Sequence, residues 1–354
     1  MKAYINGIGA VSPQNTLGKE HFLDDVTAVE ERYLQILKPD YKTYIDPKVL
    51  RRMSKIVRMS IVAARTALDE AGIAKPDAII TGTGMGCQAD TEKFLNAVLD
   101  NDEALLNPTA FIQSTHNTMG AQIALMQANN HYNLTFVNRG FSFESALLDG
   151  LMLLNEGEVL NLLLGGIDEI TDESWLISTK NDMYKVEPLN NLNLLNDRQT
   201  GGLSGEGANF FVLSNQKGID TYTRISGIET FYKPKNSGII QEKISNFLKK
   251  HELDLKDIDL VILGYNGNPL LDTVYSEIEN RLFIYQPTAY FKHLSGEYDT
   301  AVSFAVWLAA KIIKTGIVPE VVQKRKYTGR APKNVLIFNH VRNIYHSLIL
   351  LQQA

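Results

Sequence analysis

The sequence has 354 residues but only one cysteine, Cys87. A single thiol excludes an intramolecular disulfide and fits a reducing compartment. No apolar run reaches the roughly 20 residues that a helix needs to cross a bilayer. The first 13 residues have the pattern of a strand and a turn rather than of a signal peptide. Together these features predict a cytoplasmic protein that has no membrane partner.

Excess positive charge is also missing, because the formal net charge is −5 and the isoelectric point is about 5.9. No global basic field is therefore available to attract nucleic acid. The histidines and the cysteine form no H-x-x-x-H or C-x-x-C pair, so we predict no metal site. The turn "GTGMG" (82–86) lacks the G-x-G-x-x-G spacing of a dinucleotide site. We therefore predict no cofactor.

The sequence does contain an alternation of strand-like and helix-like segments, which is typical of an α/β fold. Apolar residues follow the 3.6-residue period over 49–73, and Gly72 is placed to end that helix. A similar alternation recurs after residue 215. It predicts two βαβ-rich halves, 1–215 and 216–354, that share one core. Each half has a sharp strand–turn–helix bend, called an elbow here, at Gly140 and at 266–268.

The first elbow lies in "TFVNRGFSFESALLDG" (135–150), and several enzyme folds mount a nucleophile on such a turn. The segment "GFSFE" (140–144) nearly matches G-x-S-x-G, with Ser142 as the candidate nucleophile. Glu144 stands where that motif requires a glycine, so the match fails where backbones must approach closely. Ser142 is better explained as the N-cap of a helix over 143–155.

Two clusters of basic residues interrupt the acidic chain, at 51–58 and at 324–330. Such clusters are most often solvated surface. They could also bind a small acidic protein, because local charge complementarity can oppose the net charge. The candidate docking residues are Arg51, Arg52, Lys55, Lys324, Arg325 and Lys326.

Six segments, in order along nearly the whole chain, resemble the β-ketoacyl synthases, the condensing enzymes of fatty-acid and polyketide assembly. The segments are "INGIGAVSP" (5–13), "RRMSKIVRMSIVAARTALDEAGI" (51–73), "ITGTGMG" (80–86), "LLLGGIDE" (162–169), "GEGA" (205–208) and "KHLSGE" (292–297). The resemblance implies a thiolase-like fold, in which duplicated βαβ halves form α-β-α-β-α layers.

In this family, a cysteine at the elbow carries the acyl chain, and two histidines assist decarboxylation and stabilise the enolate. The resemblance places these positions on Gly140, Asn266 and Glu297, and it retains only the family's lysine, as Lys292. Glycine cannot form a thioester, asparagine cannot shuttle a proton near neutral pH, and an ionised Glu297 would repel an enolate. The family's Gly-rich loop is replaced by "NHVRNIYH" (339–346). The resemblance therefore implies that no catalytic residue is intact.

Ketosynthase-like chains without the catalytic set resemble chain-length-factor subunits, which pair with an active synthase and shape its substrate tunnel. The segment 116–127 resembles the branch that acts in aryl-polyene and related pigment pathways. The resemblance implies dimerisation through strand 133–138, with Arg139 and Glu144 near the partner. The expected partners are an active synthase or a second copy of the chain, and an acyl carrier protein.

Two alternatives remain open. The first is an acyltransferase of the synthase family with altered chemistry, in which Ser142, His116, Glu297 or Lys292 acts on an acyl thioester. The second is a structural homodimer that binds carrier protein without chemistry. Candidates for the lining of a tunnel or vestigial site are Ser142, His116, Phe141 and Phe143.

Overall fold

The computed structural model describes residues 2–18, 22–104 and 106–354. Its centre is a ten-stranded sheet, and a separate pair of very short strands lies beside it. In chain order the strands are β1 (Ala3–Val11), β2 (Glu30–Glu31), β3 (Ala78–Gly82), β4 (Tyr132–Phe136), β5 (Asn161–Asp168), β6 (Leu189–Asn190), β7 (Gly207–Ser214), β8 (Thr223–Tyr232), β9 (Leu260–Leu263), β10 (Thr288–Tyr290), β11 (Asn334–Val341) and β12 (Tyr345–Gln352).

The helices occupy the connections between these strands. They are α1 (Pro47–Leu50), α2 (Lys55–Ala71), α3 (Gln88–Asp100), α4 (Pro108–Gln113), α5 (Thr118–Met126), α6 (Ser142–Glu156), α7 (Asp172–Thr179), α8 (Ser237–Lys250), α9 (Thr273–Arg281), α10 (Lys292–Ser295) and α11 (Val302–Thr315). In the described part of the chain, none of these helices is both long and apolar enough to span a membrane.

The sheet repeats one strand order in its two parts. The order across the sheet is β10-β9-β11-β12-β8-β1-β7-β5-β3-β4. The five strands of each block can be numbered first to fifth in chain order. Read from the outer edge of the sheet towards its centre, both blocks then follow the order third, second, fourth, fifth, first. The blocks join through a short antiparallel pairing of Ala3–Ile5 in β1 with residues 223–225 in β8. This internal repeat confirms the predicted duplication, while the exact division at residue 215 stays a prediction.

Three buried clusters show how the layers are arranged. The buried apolar faces of α6 and α11 pack with strands of both blocks in the largest cluster. Helices α2 and α5 cover the first block on one outer side, and α8 and α9 cover the second block on the other. A helix covered on two sides must be apolar nearly all round, and α11 is buried from Val302 to Ile313. The predicted α-β-α-β-α arrangement is confirmed.

The helix predicted over 49–73 is instead two helices, α1 and α2. Asp46 caps α1, with Pro47 at its first position, and Ser54 then adopts an extended conformation before α2 starts. The apolar period continues across this break, so periodicity alone did not reveal it. At the other end, Gly72 has a left-handed φ of 66° and ends α2 as predicted.

Candidate functional site

The elbow is formed by β4, a single turn of 3-10 helix over Arg139–Phe141, and α6. Gly140 is buried at this turn, below the hairpin that joins β11 to β12. A Cβ atom at position 140 would lie 2.7 Å from the Cβ of Val341 and 3.1 Å from the Cβ of Tyr345. Neither neighbour is the free end of a flexible side chain, so any residue larger than glycine would push the hairpin away.

Ser142 lies in the elbow, but its hydroxyl is turned into the backbone of the bend. Its Oγ accepts a hydrogen bond from the backbone N–H of Asn138 at 2.8 Å and donates one to the carbonyl of Arg139 at 2.7 Å. The helix begins at Ser142 itself and Phe141 occupies the N-cap position, so the predicted N-cap role was wrong by one residue. The hydroxyl stabilises the turn that precedes the helix.

Lys292, Glu297 and Asn266, called the polar cluster here, meet in the second half of the fold. The Lys292 ammonium lies 2.6 Å from Oε2 of Glu297, and the Asn266 side-chain amide donates to the same oxygen at 3.0 Å. Lys292 also donates to the carbonyl of His340 at 3.3 Å. All three side chains of the cluster are buried. The carboxylate of Glu297 is thus neutralised inside the protein, which the sequence did not indicate.

Asn266 is itself fixed by the turn around it. Its Oδ1 accepts a hydrogen bond from the backbone N–H of Asn268 at 2.9 Å. The Asp272 carboxylate accepts the N–H groups of Asn266 and Gly267 at 3.1 and 2.8 Å. Burial raises the pKa of Asp272 to about 6 although these hydrogen bonds oppose the shift. Each end of the amide therefore has one partner within the protein.

Two adjoining cavities, of about 530 and 300 Å³, lie beside the polar cluster. Both are lined by Tyr184, Asp299 and Arg342, and Glu297 lines the larger one. Together they are called the cavity here. Its volume is in the range of small-molecule sites. None of Ser142, His116, Phe141 and Phe143 is among its lining residues.

The floor of the cavity carries two neighbouring carboxyl groups with different surroundings. Asp168 is buried, and its oxygens accept four hydrogen bonds, from Thr83 Oγ1, Gly84 N, Thr300 N and Thr300 Oγ1, at 2.8 to 3.0 Å. No group of the described residues donates a hydrogen bond to Asp299. Burial, reinforced by the charge of Asp168, raises the pKa of Asp299 to about 7. Asp168 is therefore fixed by hydrogen bonds, whereas Asp299 has none from the described residues.

The other predicted tunnel residues are dispersed. His116 is exposed at the turn before α5. Phe141 packs edge-on against Tyr345, with ring centroids 5.0 Å apart. Phe143 is buried in the main core against Phe211. Of these, only Phe141 touches the hairpin that covers Gly140.

Glu144 follows Phe143 in α6 and is buried rather than exposed at the bend. Burial raises the pKa of its carboxyl to about 7, while the nearby Ser347 hydroxyl opposes the shift. Arg139, by contrast, is exposed and contacts the sulfur of Met85. The two residues that flank the bend therefore have different environments, and no ion pair joins them in the described structure.

Half of the candidate docking residues already have partners within the chain. Lys55 pairs with buried Glu206 at 2.5 Å. Lys324 pairs with Glu279 at 2.7 Å, and Arg325 donates to several backbone carbonyls, including that of Ile284 at 3.1 Å. The remaining three, Arg51, Arg52 and Lys326, are exposed.

Sequence reasoning missed Asp299, Arg342 and the covering role of Val341. The sequence signal that could have indicated the last two was the segment 339–346, which stands where the resemblance places a Gly-rich loop. Arg342 and Asn343 in this turn have positive φ values of 57° and 53°, which non-glycine residues rarely adopt. The turn is therefore left-handed at two residues that carry side chains.

A scan against family models matches residues 35–188 to the N-terminal domain of beta-ketoacyl synthases. The fold is ketosynthase-like. The structure described as the ishigamide ketosynthase/chain length factor has a TM-score of 0.83 at 19% identity, covering 100% of this chain and 99% of that one. A beta-ketoacyl synthase from Burkholderia phymatum STM815 has a TM-score of 0.80 at 15% identity, with the same coverage.

A third solved structure with this ketosynthase-like fold is AntDE:AntF, described as a type II PKS acyl-carrier protein in complex with its ketosynthase bound to the hexaketide. It has a TM-score of 0.76 at 13% identity, covering 100% of this chain and 99% of that one. The sequence matches no curated protein. The similarity of the solved structures therefore extends over the whole chain, whereas the family model covers only part of the first half.

Proposed function

We propose that this ketosynthase-like protein is a non-condensing, chain-length-factor-like subunit that pairs with an active β-ketoacyl synthase. The observation that carries the proposal is the packing at Gly140, where Val341 and Tyr345 fill the space that a nucleophile would need. Thioester formation requires a side-chain nucleophile at that point. The position has neither a nucleophile nor room for one.

The polar cluster supports the same proposal from the second half of the fold. Enolate stabilisation needs hydrogen-bond donors that point at the developing negative charge. Here the ammonium of Lys292 and the amide of Asn266 both point at Glu297. Each side chain therefore directs a donor to an internal carboxylate, which weakens the case for a substrate-binding role of this pair.

The edge strand β4 is the surface we propose for the partner synthase. It is the last strand of the sheet, and Tyr132, Leu134 and the following Val137 are exposed. Leu148 and Met152 on the adjoining helix α6 are exposed as well. An open strand edge with exposed apolar side chains is a template for pairing with another chain. This surface suits strand pairing across a dimer.

An acyl carrier protein is the second proposed partner. Its docking would depend on Arg51, Arg52 and Lys326, the three predicted basic residues that have no internal ion pair in the described structure. A charge-reversed triple variant should lower the association rate with carrier protein, and more so at low salt. The triple variant Lys55→Glu, Lys324→Glu and Arg325→Glu is not a useful control, because these residues also hold the fold together.

The decisive test for condensing activity uses the purified chain with malonyl-loaded and acyl-loaded carrier protein. We expect no β-ketoacyl product and no covalent acyl adduct by intact-mass spectrometry. A product or an adduct would support the alternative, a synthase-family acyltransferase with altered chemistry. Peptide mapping of the adduct would then identify the residue that carries it.

Co-expression with an intact Cys-His-His synthase tests the pairing. We expect a stable heterodimer whose product length differs from that of the synthase alone. A persistent homodimer that binds carrier protein would favour the structural alternative instead. A role in polyene pigment assembly is the most specific part of this proposal. It depends on the resemblance of residues 116–127 to the pigment-type branch of the family. Product analysis of the heterodimer tests it.

A further inference from the structure

Two arginines project from separate turns at the cavity. Arg139 belongs to the elbow turn and Arg342 to the turn between β11 and β12, and both have left-handed backbone conformations, with φ of 49° and 57°. Each guanidinium contacts a methionine sulfur, that of Met85 and that of Met183 respectively. Within the described ranges, no carboxylate oxygen lies within 4.0 Å of either guanidinium. Both fork-shaped donor groups are exposed and lack an anionic partner.

Asp299 is the acidic group that faces these two arginines. It is half-buried and lines the same part of the cavity as Arg139 and Arg342. Its Oδ2 would be 2.1 Å from a Cβ on Gly84, so the carboxyl lies directly over that glycine. The positive charges of Arg139 and Arg342 both act to lower the pKa of Asp299. Arg139 and Arg342 therefore both act on Asp299 through their charge, although neither guanidinium is within ion-pair distance of its carboxyl group in the described structure.

The larger part of the cavity continues from Arg342 to an apolar wall. Leu270, Leu271, Met183 and Val341 contribute to this wall. Leu270 is 73% exposed, although it lies beside the buried polar cluster. The cavity thus has guanidinium groups at one end and aliphatic side chains at the other, which makes it complementary to an amphipathic anion.

We propose that this cavity binds a small organic oxyanion with an apolar tail. The carboxylate or phosphate is held between Arg139 and Arg342, and the tail lies against Leu270, Leu271 and Val341. Guanidinium groups bind planar carboxylate and tetrahedral phosphate oxygens in a bidentate manner, which makes them suitable for either headgroup. This binding activity goes beyond the proposed function and does not depend on it.

The charges around the cavity predict how binding depends on pH. Asp168 is saturated with hydrogen bonds, Glu297 is neutralised by Lys292, and Asp182 is exposed to solvent. Burial raises the pKa of Glu169 to about 7, and Asp299 has a similar value. When these two acids are protonated, both guanidinium charges are available to a ligand. Affinity should therefore be higher at pH 6 than at pH 8.

Isothermal titration calorimetry on the full chain tests the proposal with four probes. Hexanoate and hexyl phosphate carry the two headgroups, inorganic phosphate has no tail, and hexanol has no charge. We expect saturable binding of at least one hexyl anion, at least tenfold tighter than inorganic phosphate or hexanol. A preference between the two hexyl anions distinguishes a carboxylate site from a phosphate site. Hexanoate keeps a constant charge over this range, and its affinity should fall several-fold from pH 6 to pH 8.

The matched variants are Arg139→Gln and Arg342→Gln, with Arg330→Gln as a control at an exposed arginine outside the cavity. Each cavity variant should weaken the bound anion about tenfold, which corresponds to the loss of one charge-assisted contact. Arg342→Lys should retain part of the affinity, because it keeps the charge but loses the fork. Circular dichroism checks that the variants remain folded.

Three results would overturn the proposal. One is the absence of saturable binding of either hexyl anion at millimolar concentration. Another is that neither hexyl anion binds more tightly than hexanol and inorganic phosphate. The third is that both folded cavity variants bind as tightly as the parent protein. None of these outcomes bears on condensing activity or on pairing with a synthase.

Discussion

The elbow and the polar cluster hold the positions that the sequence resemblance assigns to condensing residues, and they are built from opposite kinds of contact. At Gly140, the apolar hairpin residues Val341 and Tyr345 fill the space by close packing. At Glu297, an ammonium and an amide satisfy a buried charge. A packed site resists a new side chain through steric overlap, whereas a polar site resists the loss of one partner through desolvation. Each region should therefore respond to a different substitution.

The largest effect is expected for Lys292→Met in the polar cluster. It leaves the carboxylate of Glu297 buried without its cation, and such a change destabilises proteins by about 3–5 kcal/mol. Urea denaturation measures the loss, with Lys326→Met as the exposed control, which should change stability by less than about 0.5 kcal/mol. The double variant Lys292→Met with Glu297→Leu should recover much of the loss. Equal effects of the buried and exposed substitutions would contradict the electrostatic account.

A smaller effect is expected for Gly140→Cys at the elbow. Its Cβ would overlap Val341, and overpacking of this kind costs about 1–3 kcal/mol. Removing the opposing side chain with Val341→Gly should make the cysteine more acceptable, so the double-mutant cycle should show a favourable coupling of about 1 kcal/mol or more. Additive effects would show that the hairpin does not restrict this position. No single variant of this cycle should gain condensing activity.

The smallest effect is a pH dependence that comes from Glu144. Burial raises its pKa to about 7, above the value of about 4.5 in the unfolded chain. The folded state then holds the proton more tightly, and this contribution to stability is lost as the pH rises through 7. Relative to the parent, Glu144→Gln should gain about 1–3 kcal/mol of stability between pH 5 and pH 8.

Urea denaturation at both pH values checks this, with Glu156→Gln in the same helix as the exposed control. The control should shift stability equally at pH 5 and pH 8. If Glu144→Gln also gave a constant shift, the carboxyl would be ionised in the folded protein across this range, and the role of burial would be refuted.

The comparison between the two regions also shows where sequence reasoning succeeded. The elbow was recognised because a strand, a bend and a helix are contiguous, and local spacing reports them directly. Gly140 was identified from the same local segment. The covering residues Val341 and Tyr345 lie about 200 residues further along the chain. The sequence analysis noted that their segment replaces a Gly-rich loop, but it did not predict that they would pack against Gly140.

The polar and basic residues were harder to interpret. An ionised Glu297 was expected to repel an enolate, but Lys292 pairs with its carboxylate and Asn266 donates a hydrogen bond to it. Lys324 and Arg325 were grouped with Lys326 as docking residues. The structure shows that Lys324 pairs with Glu279 and that Arg325 donates to backbone carbonyls. Charged side chains have long flexible stems, and their partners depend on which distant elements pack nearby. Local sequence does not contain that information.

The sequence by itself determined the duplicated α/β architecture and the glycine at the bend of the first elbow, because hydrophobic periodicity and residue identity are local properties. The tertiary structure alone decided why Gly140 must remain small, which charges are neutralised, and where two unpaired arginines face a cavity. These features depend on distances between atoms that are far apart in the chain, and such distances exist only once the layers have packed together.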